Sequence, residues 1–282
     1  MEIIVKNDGE LLDYLVNNID MPRKKIKEYL THGSIYVNNN RTTKYNYPVY
    51  SGNTIIIDTK SKNKVILPFE ILFEDEHIIV VNKPSGLLTI ATDNEKYNTL
   101  YHIVRNYLVS KNKNNRIFIV HRLDKDTSGV IIFAKDERTK NMLQDNWNDY
   151  VKLREYICVV HGKLEEKDKK IVNYLAETKT KLVYTTSKEL GVEAITNYEV
   201  VKESKDYSLV KVAIDTGRRN QIRVTFKELG NPIVGDKTYG IKDNGKRLFL
   251  HANKLKLFYP VIGKEILFES KVPTEFKKIM KG

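Results

Sequence analysis

Residues 121–129 read His-Arg-Leu-Asp-Lys-Asp-Thr-Ser-Gly, a charged run between the apolar stretches 117–120 and 130–133. Such a run reads as a loop, and a β-like segment on each side would present the Asp124 carboxylate from a rigid frame. Arg122 stands two positions earlier, and Thr127, Ser128 and Gly129 can form a tight, self-hydrogen-bonded turn. A carboxylate held this way can attack carbon or move a proton. A loop aspartate taken alone is more often a turn former or a helix cap, and that use suits Asp126 better than Asp124.

The rest of the chain must hold this loop. Its 282 residues, 41% of them hydrophobic, suffice for one large domain and a small one. No apolar stretch approaches twenty residues and the first eight residues lack the pattern of a secretion signal, so no membrane association and a cytoplasmic location are expected. Cys158 is the single cysteine, which excludes an internal disulfide and a cysteine-based zinc site. The six histidines show no metal-ligand spacing. Forty-eight Lys and Arg against thirty-six Asp and Glu leave a formal charge of +12, which favours a polyanion such as RNA or DNA. A Lys- and Asn-rich composition alone produces the same surplus, so charge does not decide the partner.

Residues 1–58 read as a separate α+β module. Leu12, Leu15, Val16 and Ile19 share one helical face. A second helix begins at Pro22, ends before Gly33, buries Ile26, Tyr29 and Leu30, and turns Arg23, Lys24 and Lys27 outward. Strands at 34–37 and 53–57 and a turn at Asn38-Asn39-Asn40 complete it. Its basic helix face can grip RNA phosphates or simply be solvated. This pattern resembles the αL RNA-binding motif of a small-subunit ribosomal protein and several RNA-modifying enzymes. Residues 59–68 begin with a wholly polar run and read as a linker.

Residues 69–282 form the second expected domain. Beyond residue 65, β-like segments dominate, at 69–73, 78–81, 118–120, 130–133, 156–160, 194–201, 208–214 and 249–257. Helical patterns are fewer, at 100–109, 138–147, 221–229 and 274–280. An α+β domain around a mixed, largely antiparallel sheet is expected. There is no glycine-rich phosphate loop or dinucleotide fingerprint, so no nucleotide cofactor is expected.

Four stretches then fall into one pattern: Asn82-Lys83-Pro84-Ser85-Gly86, the loop at 121–129, Arg154-Glu155-Tyr156 opening a strand that ends in Val160-His161-Gly162, and the run from Asp215 to Arg223. In this order and at these intervals the chain resembles the RluA-type pseudouridine synthases across residues 70–258. The resemblance implies the pseudouridine synthase fold and an isomerase that converts uridine in RNA to pseudouridine. The bond from ribose to nitrogen breaks, uracil turns, and its carbon 5 joins the ribose. No group is gained or lost, so neither cofactor nor metal is implied.

The resemblance also assigns residues. Asp124 matches the family aspartate, acting as a nucleophile or by taking a ribose proton. Arg223 matches the arginine that pairs with this carboxylate, for which a guanidinium offers a fixed two-pronged hold. Tyr156 matches a tyrosine that lies against uracil and removes the carbon 5 proton. The target must leave its stack, and Arg122 either fills the vacated space or binds phosphate. His121 orders the loop, Lys83 and Pro84 shape the sheet edge, and Arg218 and Gln221 support the site. His121, Lys83, Arg218 and Gln221, with Arg23, Lys24 and Lys27, are the further expected RNA contacts. Many relatives carry Thr-His where this chain has Arg219-Asn220, and His at the position of Thr225. Those departures are expected to affect only fine contacts around the target, and Arg219 to add phosphate affinity.

Two rivals remain at this stage. A non-catalytic RNA binder or ribosome-assembly factor would use the same surfaces, and a glycosidase would need a second carboxylate opposite Asp124, which Asp126 is poorly placed to supply. Relatives with such an N-terminal module commonly modify ribosomal RNA, so large-subunit ribosomal RNA is the expected substrate, with transfer RNA the alternative. A monomer is expected.

Overall fold

The computed structural model describes residues 1–281 except 32, 60–66, 94 and 244. Residues 60–66 of the expected linker therefore lie outside the described residues. The chain divides into two compact units, Met1–Pro68 with Val104–Asn115, and Phe69–Ile103 with Arg116–Gly282. The grouping of Val104–Asn115 with the first unit differs from the sequence-based division. The break falls inside one continuous helix, where no change of composition marks it.

The first unit contains β1 (Glu2–Ile4), β2 (Gly9–Glu10), α1 (Leu11–Asn18), α2 (Arg23–Thr31), β3 (Ile35–Val37), β4 (Asn40–Thr42), β5 (Pro48–Val49) and β6 (Thr54–Ile57). β1, β6, β3 and β4 form a sheet in that order, and β2 pairs with β5. Val37 lies opposite Asn40, so Asn38-Asn39 is a two-residue hairpin loop; both have positive φ, 47° and 63°, which asparagine tolerates. Leu11, Leu15, Ile26 and Leu30 pack on Ile35, Val37, Ile55 and Ile57 as the core. That packing leaves Arg23, Lys24 and Lys27 exposed on α2.

The second unit is built on an eleven-stranded sheet. Its elements are β7 (Ile71–Glu74), β8 (Ile78–Lys83), the start of α3 (Leu100–Lys111), β9 (Phe118–Ile119), β10 (Ser128–Ala134), α4 (Glu137–Asp145), α5 (Trp147–Tyr150) and β11 (Val151–His161). There follow β12 (Asp168–Glu177), β13 (Val183–Thr186), β14 (Val192–Glu203), β15 (Tyr207–Ile214), α6 (Gln221–Glu228), β16 (Leu250–Tyr259), β17 (Lys264–Glu269) and α7 (Thr274–Ile279). The strand order is β13-β12-β14-β15-β11-β16-β10-β8-β7, with β17 on β16 and β9 on β10. All pairings are antiparallel except β10 with β16, so the sheet is mixed and largely antiparallel.

β10 is buried along its whole length. Its run 130–134 is apolar without alternation because both faces are covered. Val130 and Ile132 pack with Ile78, Val80, Leu143, Leu255 and Leu257. Further along the sheet, Ile222 and Phe226 of α6 lie on Cys158, Val160, Val210 and Val212.

Two local expectations are corrected. Ser128 and Gly129 do not turn; they open β10 opposite His251 and Ala252 in the parallel ladder. Ser128 Oγ bonds His251 Nδ1 at 2.8 Å, and Gly129 sits at φ 117°, where a Cβ would overlap the Ala252 backbone. The glycine permits close strand approach, and the chain bends earlier, at Lys125-Asp126. The strands β12, β13 and β17 here, and β1, β2, β4 and β5 in the first unit, were not expected from the sequence. Among the described residues, no helix is long and apolar enough to cross a membrane.

Candidate active site

The loop between β9 and β10 is fastened by the segment that follows β8. Lys83 Nζ donates to Lys125 O at 2.8 Å and Gly86 N to the same carbonyl at 3.0 Å. Ser85 Oγ donates to Asp126 O and Thr89 Oγ1 to Leu123 O, each at 2.7 Å. Leu123 and Thr127 are buried. The backbone is thus held on both sides of Asp124, while its side chain stays 34% exposed. Among the described residues nothing donates a hydrogen bond to that carboxylate. Both oxygens keep their lone pairs for carbon or for a proton.

Arg223 is held by a residue that sequence reasoning missed. Its Nε and Nη2 each donate to a different oxygen of Asp236 at 2.7 Å, and its Nη1 donates to Asn220 Oδ1 at 3.0 Å. Asp124 Oδ2 lies 3.8 Å from Nη1, an ion pair without a hydrogen bond. The two-pronged hold expected for Asp124 therefore goes to Asp236. Asp236 also accepts the backbone N–H groups of Thr238 and Tyr239. Burial pushes the Asp236 carboxyl up, but the Arg223 hydrogen bonds and charge and the two amides outweigh it, so its pKa lies below the ordinary carboxylate value. The Tyr239 ring lies 5.0 Å from the Arg223 guanidinium carbon.

Asn220 is more than a fine contact, which corrects the expectation for the 219–220 departure. At φ 52° it stands immediately before α6 in a backbone conformation that asparagine tolerates, and it orients Arg223. Its Nδ2 donates to the Tyr239 hydroxyl. Arg219 is paired with Glu177 at 2.6 Å, so its charge is already partly answered. Thr225 is buried and accepts from Asn173.

Tyr156 stands beside an irregularity in the β11–β16 ladder. Glu155 lies opposite Lys254 but Tyr156 opposite Ala252, so β16 carries one extra residue there, Asn253. Burial pushes the Tyr156 hydroxyl up to about 12, with Arg154 opposing and Asp124 adding to the rise. At neutral pH it is a phenol, and it takes a proton only by passing on its own. Burial also raises the Asp124 pKa, opposed by Arg223, Arg219, Arg122 and Lys83. The ionised carboxylate thus has three guanidinium cations and the buried Lys83 amine acting on it.

These residues line one cleft of about 520 Å³, with Arg122, Leu123, Asp124, Arg154, Tyr156, Arg218, Arg219 and Arg223 on its walls. Its size lies in the range of roughly 300–1,000 Å³ usual for ligand sites. Arg122 is exposed at the loop, and Arg218 is exposed with its Nε bonded to Glu193 O.

Three expected RNA contacts have other duties. Lys83 is fully buried and donates to Pro84 O, Leu87 O and Lys125 O, so it shapes the loop and presents no N–H to RNA. Burial pulls its pKa to about 7, against the attraction of Asp126 and Asp124. Gln221 is buried; it accepts from Thr216 and Arg218 N and donates to Ile195 O and Thr196. His121 Nε2 accepts the Ile132 N–H at 3.2 Å, its ring lies against Trp147, and burial pulls its pKa to about 3, so it stays neutral and orders the strand entry. Arg23, Lys24 and Lys27 belong to the other unit; Arg23 pairs with Asp13 at 3.4 Å.

Comparison with known proteins agrees with this architecture. Residues 77–228 match the RNA pseudouridylate synthase family. An uncharacterized RNA pseudouridine synthase of Aquifex aeolicus is 32% identical over 310 residues, covering 99% of this chain and 95% of its own. A ribosomal large subunit pseudouridine synthase D of Borreliella burgdorferi is 31% identical, covering 91% of this chain and 84% of its own. In structure, human RNA pseudouridylate synthase domain containing 4 superposes with a TM-score of 0.62 at 22% identity, covering 73% of this chain and 90% of its own, which shows the shared fold. A match over more than half the chain, together with relatives aligned along nearly all of it, shows that this protein belongs to the RNA pseudouridine synthase family of isomerases.

Proposed function

We propose that this protein isomerises uridine to pseudouridine in structured RNA, specifically large-subunit ribosomal RNA, with Asp124 as the reacting group. The carrying observation is the state of Asp124, whose backbone is fixed from both sides while its carboxylate accepts no hydrogen bond and opens into a cation-lined cleft. A flipped uridine in that cleft meets an ionised carboxylate able to attack carbon or remove a ribose proton. The bond from nitrogen 1 to the ribose breaks, uracil turns, and carbon 5 bonds to the same ribose carbon. Carbon 5 then loses its proton and nitrogen 1 gains one, so no group is gained or lost. Tyr156 stacks on the ring and relays the proton from carbon 5. Arg223 keeps Asp124 ionised by charge, because at 3.8 Å its Nη1 is too far to donate a hydrogen bond while Asp236 and Asn220 hold it in place.

Ribosomal RNA is supported by the named function of the Borreliella burgdorferi relative. The exposed Arg23, Lys24 and Lys27 on α2 support a second grip, on phosphates of a folded RNA. The test maps pseudouridine by carbodiimide labelling and reverse-transcription stops on unmodified ribosomal and transfer RNAs treated with the protein or with Asp124→Asn. New stops in large-subunit RNA that vanish with Asp124→Asn support the proposal. Stops in transfer RNA alone reject the substrate, and equal stops with both proteins reject the role of Asp124.

A further inference from the structure

Arg154 is a half-buried cation with little to answer it. Among the described residues it donates one hydrogen bond, from Nη2 to Asp215 O, and no carboxylate lies within 4 Å of it. The Asp215 carboxylate is occupied elsewhere, 3.1 Å from Asn197 and 3.6 Å from Lys170. Two other arginines at the cleft are better matched, Arg223 by Asp236 and Asp124 and Arg219 by Glu177, while Arg122 and Arg218, which among the described residues pair with no carboxylate either, are exposed to water. A guanidinium carries five N–H donors, so most of its capacity is unspent. Burial lowers the Arg154 pKa; Tyr156 and Asp215 oppose that, and Arg218 adds to it. A desolvated cation facing other cations is costly until an anion arrives.

Its position says which anion. The cleft of Asp124 adjoins a second recess of about 250 Å³, lined by Trp147, Asn148, Lys152 and Asp215, and Arg154 lines both. Room for its head is kept by Gly217, where a Cβ would stand 2.7 Å from Nη1. We propose that Arg154 binds one RNA phosphodiester, the one that joins the nucleotide in the cleft to a neighbouring nucleotide seated in the recess. This rests on the reading of the cleft as the uridine site. A planar guanidinium suits the two free oxygens of a phosphodiester, and Trp147 offers the neighbouring base an aromatic surface.

Trp147 is the only tryptophan and borders both cavities, so its fluorescence reports occupancy. The probe is an RNA pentamer with one central uridine between adenosines, made with an uncharged methylphosphonate on the 5′ or the 3′ side of the uridine. In the wild type one of these two positions should weaken binding about tenfold, or ~1.4 kcal/mol, and the other far less. In Arg154→Met that penalty should vanish, and the salt slope of the unmodified pentamer should fall by about 0.7. Arg154→Lys should restore part of the affinity. Equal effects of the two linkages in the wild type would overturn the proposal without any variant. So would a penalty unchanged in Arg154→Met, or no binding of the pentamer. Asp124→Asn should retain the one-sided penalty, so the anchor can hold even if pseudouridine mapping shows Asp124 not to be the reacting group.

Discussion

Replacing Asp236 by Asn removes one charge and alters one atom, which makes it a sensitive probe of how Arg223 is held. The asparagine oxygen can still accept the Thr238 and Tyr239 amides and one Arg223 N–H. Its NH₂ group then faces a guanidinium N–H, so one of the two 2.7 Å hydrogen bonds is replaced by a donor facing a donor. Arg223 is only 11% exposed and Asp236 fully buried, so a buried cation loses its carboxylate at a cost of about 3–5 kcal/mol. Asn220 at 3.0 Å and Asp124 at 3.8 Å recover part of that, which places the net loss near the lower end. A loss of about 3 kcal/mol lowers Tm by roughly 6–12 °C in a domain of this size. The freed guanidinium should then swing onto Asp124 and occupy the lone pairs the reaction needs, so kcat falls more than KM rises. The folded pKa of Asp236 is depressed, so its stabilisation is full above about pH 4 and fades as pH falls through the folded value. Calorimetry should therefore show the gap in Tm closing on acidification below pH 4. A variant with wild-type Tm and wild-type kcat at pH 7 would refute the reasoning.

Tyr156→Phe keeps the ring but not the hydroxyl; RNA affinity should hold while single-turnover pseudouridine formation drops about 10²-fold, and normal turnover would remove the proton-relay role. Gly129→Ala places a Cβ on the Ala252 backbone at φ 117°, so urea denaturation should show a loss of more than about 3 kcal/mol or no folded protein; a loss under 1 kcal/mol would contradict the close strand approach. Because burial raises the Asp124 pKa, the acid limb of kcat/KM should have its midpoint above the ordinary carboxylate value, with activity lost as pH falls through it. Arg219 opposes that rise, so Arg219→Ala should move the limb to higher pH, and a move to lower pH would reverse the assigned electrostatics.

Some of this was legible in the residue order and some was not, for physical reasons. β8 and β10 announce themselves because strands covered on both faces are apolar without interruption. The hairpin at Asn38-Asn39 is readable because few residues accept positive φ. β12 is hidden because Asp168, Lys169, Lys170 and Val172 are exposed and Leu175 is its one fully buried residue, so no alternation survives. Lys83 misleads because lysines are almost never fully buried, and only three convergent carbonyls make it possible here. Asp236 carries no local signal, since its meaning comes from Arg223, thirteen residues away across the end of α6. Trp147 carries no local signal either, and Arg154, although part of the Arg154-Glu155-Tyr156 stretch, shows its place at the site only once folding brings β11 and α5 to one cleft.

The most direct test of the account is tritium release from RNA labelled at carbon 5 of uridine, since forming the carbon 5 to ribose bond expels that hydrogen. Large-subunit ribosomal RNA incubated with the wild type and with Asp126→Asn should release tritium in proportion to enzyme turnover, and with Asp124→Asn it should release none above background. Release by Asp124→Asn at the wild-type rate would contradict the assignment of the reaction to that carboxylate.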